Sequence, residues 1–146
     1  MKTLTKQVEL LLVEDDAGDI DLTKEAFTES QLEVNFHVVR DGVEALAYLH
    51  REAPYHHAVK PDLVLLDLNM PRKGGLEVLE ELKKDRRLAD LSVIIMTSSE
   101  APEDMLISYA LGANLYVSKP FGLSEFSRFV KSIENFWLTS LNYCLT

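Results

Sequence analysis

Leu63-Val64-Leu65-Leu66-Asp67-Leu68-Asn69 joins four consecutive apolar residues to a carboxylate and an amide, with no polar alternation before the acid. A strand with one wet face alternates. A short unbroken apolar run suits a strand covered on both faces, as in a parallel sheet. The stretches Val8 to Val13, Val34 to Val39, Val93 to Met96 and Leu115 to Val117 read the same way, and each is followed by a segment of helical period. Parallel strands need crossover connections, and helices supply them. The predicted fold class is therefore α/β, a (βα)5 doubly wound parallel five-stranded sheet.

The helices carry punctuation. Asp19 or Gly18 is expected to open the first, Asp41 the second and Gly75 the third, close to Pro71. Pro102 stands in the first turn of the fourth and Gly112 stops it. The last helix is expected from about Leu123 to Trp137, followed by a tail over residues 138–146. On that helix Leu123, Phe126, Phe129, Val130, Ile133, Phe136 and Trp137 fall within an arc of about 140°. Leu123, Phe126, Val130, Ile133 and Trp137 can serve the core. Phe129 and Phe136 lie at the margin, and with Trp137 they form the candidate interface of a homodimer assisted by the tail.

The 146 residues are 47% hydrophobic and 27% charged, which suits a single domain over 1–146 with its core in 8–137. Fifteen basic against 24 acidic side chains leave a formal charge of −9, so neither nucleic acid nor an anionic bilayer is an expected partner. Cys144 is the one cysteine, so no disulfide framework exists and a cytoplasmic location is expected. Apolar runs as short as Leu10 to Val13 predict neither a signal peptide nor a membrane span. His56 and His57 read as a solvated loop, and Lys83, Lys84, Arg86 and Arg87 as a solvated helix end.

In an open parallel sheet the ligand site lies beyond the carboxyl ends of the strands, so the exit residues carry the chemistry. The first strand exits in Glu14-Asp15-Asp16, the third in Asp67-Leu68-Asn69, the fourth in Thr97-Ser98-Ser99 and the fifth in Ser118-Lys119-Pro120. Strand two exits in Arg40-Asp41, a helix start. Glu14, Asp15 and Asp67 in one crevice raise one another's pKa unless a cation joins them. Hard oxygen donors suit Mg2+, with Mn2+ able to substitute, and the Asn69 main-chain carbonyl is a further candidate donor. Asp19 and Asp21 are assigned to a solvated helix face. Lys119 and Thr97 add an ammonium and a hydroxyl opposite the carboxylates, a set suited to a phosphoryl group, with main-chain N–H groups near Ser98 as extra donors. Asp67 is then the nucleophile, and its product an acyl phosphate.

With these residues assembled, the chain resembles a response-regulator receiver domain over nearly all of residues 8–137. The likeness rests on Leu-Leu-Val-Glu-Asp-Asp ending at Asp16, Leu-Leu-Asp-Leu-Asn-Met-Pro ending at Pro71, Ile-Ile-Met-Thr-Ser-Ser-Glu ending at Glu100, and Leu-Gly-Ala-Asn-Leu-Tyr-Val-Ser-Lys-Pro ending at Pro120. It implies a flavodoxin-like receiver fold with sheet order 2-1-3-4-5, for which a chemotaxis member of this family is a standard example. It implies that Asp67 is the phosphorylated residue, that Asp15, Asp67 and the Asn69 carbonyl hold Mg2+ while Glu14 acts through water, and that Thr97 and Lys119 contact the phosphoryl group. Tyr116 matches the aromatic switch position that moves with Thr97, and the face of the fourth helix, fifth strand and fifth helix reports the change. A cis Lys119–Pro120 bond is also implied, against a background of about 5% for X-Pro bonds.

Around Leu-Asn-Met-Pro-Arg-Lys-Gly-Gly (68–75) and Ser-Ile-Glu-Asn-Phe-Trp-Leu (132–138) the chain is most similar to the single-domain phytochrome-associated response regulators of cyanobacteria. That likeness implies a sensor histidine kinase, a phytochrome, as phosphoryl donor, with an unidentified protein downstream. Arg72 and Lys73, beside the acidic pocket, would face the kinase's phosphohistidine domain. Two other classes compete. A small-molecule phosphotransferase of the haloacid-dehalogenase type wants Asp-x-Asp, whereas Asn69 stands where the second acid belongs, and no glycine-rich phosphate loop is present. A phosphate-independent interaction module has no need of a charge-crowded crevice.

Overall fold

Successive residues of a strand point to opposite faces, so an unbroken apolar strand must be buried twice. The computed structural model, which describes residues 7–145 along the backbone and 7–135 with side chains, shows how. The elements in order are β1 (Gln7–Val13), α1 (Ala17–Phe27), β2 (Glu33–Val39), α2 (Gly42–Leu49), β3 (Leu63–Leu66), α3 (Gly75–Lys84), β4 (Ser92–Thr97), α4 (Pro102–Ala110), β5 (Leu115–Ser118) and α5 (Gly122–Leu145). All strand pairs are parallel, in the order β2-β1-β3-β4-β5. The predicted class, connectivity and sheet order hold.

One apolar layer takes Leu11, Val13, Val64, Leu66, Val93 and Ile95 from the sheet and packs them with Val78, Leu79 and Leu82 of α3 and Ala45, Leu46 and Leu49 of α2. The other takes Leu10, Leu12, Leu63, Leu65, Ile94 and Met96 and packs them with Ile20 and Phe27 of α1 and Phe126, Phe129, Val130 and Ile133 of α5. Each such Val, Leu, Ile, Met or Phe side chain contributes about 1.5–3 kcal/mol by leaving water. The missing alternation in β3 is thus two cores sharing one strand.

Helix ends follow local chemistry. Asp16, not Gly18 or Asp19, caps α1: its carboxylate accepts the Asp19 N–H at 3.0 Å. Asp41 caps α2 through the Glu44 N–H at 2.8 Å. Pro102 is the first residue of α4, and Gly112, at φ +105°, takes the left-handed position after that helix. α4 has one buried residue, Ser108, and leaves Met105, Leu106, Ile107 and Tyr109 exposed.

Helix α5 runs on to Leu145, where a tail was expected after Trp137. It meets the sheet only from Phe126, so Leu123 in its first turn is 43% exposed rather than a core residue. Phe129 is also corrected: it is 6% exposed, inside the cluster that Leu115 and Val117 of β5 flank, because the sheet extends far enough to cover the helix margin. It is a core residue, not an exposed interface aromatic. The side chains of Phe136 and Trp137 lie outside the described residues. His56 and His57 are exposed, as expected. Lys83 is not a solvated helix end; its ammonium bonds the carbonyls of Ala89 and Leu91 at 2.9 and 3.0 Å.

Candidate functional site

Parallel register brings the exits of β1, β3, β4 and β5 to one edge of the sheet. Main-chain bonds continue past the strand ends and fix the exit residues: Glu14 N–H to Val39 carbonyl at 3.1 Å, Asp67 N–H to Val13 carbonyl at 3.1 Å, and Lys119 N–H to Thr97 carbonyl at 2.8 Å. Glu14 and Thr97 are wholly buried, and Asp67 is 4% exposed. Asp15 is exposed at the mouth.

The Lys119 ammonium sits among three carboxylates, 2.9 Å from Glu14 Oε1, 2.9 Å from Asp19 Oδ2 and 3.2 Å from Asp67 Oδ2. The other oxygen of Asp67 accepts the Asn69 N–H at 3.1 Å, so both of its oxygens are oriented. Burial pushes the Glu14 carboxyl up to about 7, against the hydrogen bonds from Lys119 and the Asp16 N–H, and the Asp67 charge pushes the same way. For Lys119, burial opposes the charge, but the bonds to Asp19 and Glu14 and the neighbouring negative charges outweigh it. Its pKa is held above the ordinary value.

Carboxylate oxygens of Glu14, Asp15 and Asp67 lie within 4.8 Å of one another. The buried Glu14 Oε1 meets the Lys119 ammonium at 2.9 Å and no other donor among the described residues, so it retains capacity to accept. One ammonium among so many acids leaves an excess of negative charge, and the donor set is all oxygen. The residues fit a hard divalent cation.

Thr97 Oγ1 accepts the Ser99 N–H at 3.3 Å, and Ser99 Oγ donates to Asp104 of α4 at 2.5 Å. Tyr116 is half-buried and packs against the layer formed with α2 and α3, while its N–H bonds the Tyr109 hydroxyl at 3.0 Å. The structure therefore brings Glu14, Asp15, Asp67 and Lys119 together, with Thr97 at the neighbouring strand exit and Asn69 two residues beyond Asp67.

Two expectations change. The Lys119–Pro120 bond is not cis; the cis bond among the described residues is Ala53–Pro54. The lysine side chain is long enough to reach all three carboxylates without it. Asp19, assigned to a solvated face, grips Lys119 instead. Arg72, expected to face a partner, keeps its side chain 56% exposed while its guanidinium forks onto Asp41, with Nε to Oδ2 at 2.9 Å and Nη2 to Oδ1 at 3.2 Å. That pairing has no sequence spacing to announce it.

Comparison with known proteins agrees. Residues 10–131 match the response regulator receiver domain family. The chain is 37% identical over 132 residues to response regulator Rcp1 of Synechocystis, covering 90% of each chain. Among solved structures it is similar to the phosphorylated cyanobacterial phytochrome response regulator RcpA, with 43% identity, a TM-score of 0.86, and coverage of 92% of this chain and 96% of that one. It is also similar to the Mn2+-bound form of Rcp1, with 37% identity, a TM-score of 0.84, and coverage of 90% and 94%.

Proposed function

Because the chain belongs to the response regulator receiver domain family, we propose that it accepts a phosphoryl group on Asp67 from a sensor histidine kinase and passes the signal on through its surface. The observation that carries this reading is the Lys119 ammonium within 3.2 Å of a nearly buried Asp67, beside Glu14 and the exposed Asp15. Similarity to phytochrome response regulators supports a phytochrome as the kinase, and so a shared cytoplasmic compartment.

Asp15, Asp67 and the Asn69 carbonyl would hold Mg2+ or Mn2+, with Glu14 acting through water. When bound, the cation offsets the repulsion between an anionic nucleophile and phosphoryl oxygens. The rest falls to the chain's own atoms. An Asp67 carboxylate oxygen attacks phosphorus and the donor's imidazole nitrogen leaves with the electron pair of the broken bond. Lys119 moves a hydrogen bond from Asp67 to a phosphoryl oxygen, and the Thr97 hydroxyl donates to another. Hydrolysis by water later returns phosphate and free Asp67. The chain catalyses these steps at its own Asp67, taking the phosphoryl group from the donor and releasing it to water.

Movement of Thr97 toward the phosphoryl group, with Tyr116 as the switch residue, biases the face formed by α4, β5 and α5. The exposed Met105, Leu106, Ile107 and Tyr109, with Phe121 and Leu123, support that face as the output surface, first for a second copy of the chain and then for a downstream protein.

The test is intact mass after incubation with acetyl phosphate and Mg2+. A labile gain of one phosphoryl group, lost on chelation and in Asp67→Asn, is expected. An unmodified wild type, with both acetyl phosphate and a cognate kinase, would overturn the reading.

A further inference from the structure

The loop from Asp67 to Gly75 carries Asn69 and is seated at two places by close backbone approach. At its base the Gly75 N–H bonds the Leu68 carbonyl at 3.0 Å, and a Cβ on Gly75 would stand 2.4 Å from the Asp67 carbonyl oxygen. On its flank the Lys73 carbonyl oxygen lies so near Gly42 of α2 that a Cβ there would stand 2.2 Å away. Between these seats Arg72 adopts φ +67°, a left-handed conformation uncommon outside glycine. That backbone turns the guanidinium back onto Asp41, whose side chain is only 11% exposed and is already fixed as the cap of α2.

The Arg72 side chain is 56% exposed, so an ion pair there adds little to stability. A two-pronged guanidinium–carboxylate contact does fix direction. Strained backbone persists where its surroundings over-determine it, and such places cluster at sites whose geometry matters. Asn69 and Pro71 are themselves exposed, and the hydrogen bonds seen there are the Asn69 N–H to Asp67 and the Lys73 N–H to the Pro71 carbonyl at 2.7 Å. Neither bond ties the loop to a neighbouring element; its side chains do, Met70 by packing on the core, Lys73 by bonding Glu81 of α3 at 2.5 Å and Arg72 by its fork onto Asp41, the cap of α2.

Resting on the metal-site reading above, we propose that Arg72, held by Asp41, is a positioning residue that fixes the β3–α3 loop so that the Asn69 carbonyl faces the divalent cation. It touches neither cation nor phosphoryl group. Its effect is on where a ligand carbonyl sits.

Mn2+ titration followed by the electron paramagnetic resonance of the free ion tests this on wild type, Arg72→Ala, Arg72→Lys, Asp41→Asn and the Arg72→Ala/Asp41→Asn double variant. Arg72→Ala is expected to weaken Mn2+ binding about tenfold, as loss of groups that orient metal ligands does, with its thermal midpoint within about 4 °C of wild type. Asp41→Asn should weaken binding similarly and the double variant no further, because both remove one contact. Arg72→Lys keeps the charge without the fork and should restore only part of the loss. Asn keeps an oxygen for the Glu44 N–H, so Asp41→Asn retains the cap of α2, and the exposed Arg72 variants decide independently of it. Wild-type affinity in Arg72→Ala, or losses that multiply in the double variant, would overturn the proposal while leaving the metal site standing. A wild type that binds no Mn2+ would overturn the metal site and the proposal together.

Discussion

Asp19 and Lys119 are joined across the mouth of the cleft, Oδ2 to Nζ at 2.9 Å, tying the first turn of α1 to the end of β5. An ammonium has three donors, and Glu14, Asp19 and Asp67 surround it. Asp19 alone of the three is neither the proposed phosphoacceptor nor a proposed partner of the cation. Asp19→Asn should therefore leave phosphorylation by acetyl phosphate intact but slower. A partly exposed pair is worth up to about 1 kcal/mol, or about fivefold in rate. Lys119→Ala removes a donor aimed at developing charge and should cost about 10²–10³-fold. Initial rates of mass gain compare the two, and equal losses would show that Asp19 does more than hold the lysine.

Gly75→Ala places a methyl group 2.4 Å from the Asp67 carbonyl oxygen and 2.7 Å from Leu68 Cα, both backbone atoms with no flexible end to yield. Overpacking of this kind costs about 1–3 kcal/mol, and relief must move the residue that carries Asp67. Gly74→Ala is the control, since its nearest contact would be an ordinary 3.6 Å. Thermal melts and phosphoryl uptake should both fall in the first variant and stay near wild type in the second.

Phe129 fills the layer beneath α5 at 6% exposure. Phe129→Ala should cost about 3–5 kcal/mol of folding stability. The loss should not depend on protein concentration, as an interface residue's would. Chemical denaturation at two concentrations tenfold apart checks it.

What the sequence made legible follows the reach of its signals. Apolar runs without alternation, as in Leu63 to Leu66, report double burial, and strand exits report the site, so Glu14, Asp15, Asp67, Thr97 and Lys119 could be read in advance. The pairs Asp19–Lys119 and Arg72–Asp41 could not, because each joins residues far apart in the chain whose meeting depends on how helices seat on the sheet. Helical period places Phe129 on an arc but says nothing of how wide a sheet lies beneath it. Whether Asp16 or Asp19 caps α1 is a choice between neighbours settled by backbone geometry: Asp16 is extended at φ −88° and ψ 114°, where its side chain meets the Asp19 N–H.

The pairing of Asp41 with Arg72 also predicts a pH dependence. Burial alone would raise the Asp41 carboxyl, but the Arg72 hydrogen bonds and the Glu44 N–H outweigh it and hold the pKa below the ordinary 3.8. The folded chain thus binds this proton more weakly than the unfolded chain. Stability from Asp41 is fully present above 3.8 and is lost as pH falls through the lower, folded value. Asp41→Asn keeps a cap oxygen for the Glu44 N–H and removes the charge. Wild type should melt higher than this variant by a constant margin from about pH 8 down to about pH 5, and the margin should narrow progressively as pH falls below 3.8. Melts of both proteins across that range measure it. A margin unchanged at the acid end would mean that Asp41 contributes through the shape of its cap and not through the charge it presents to Arg72.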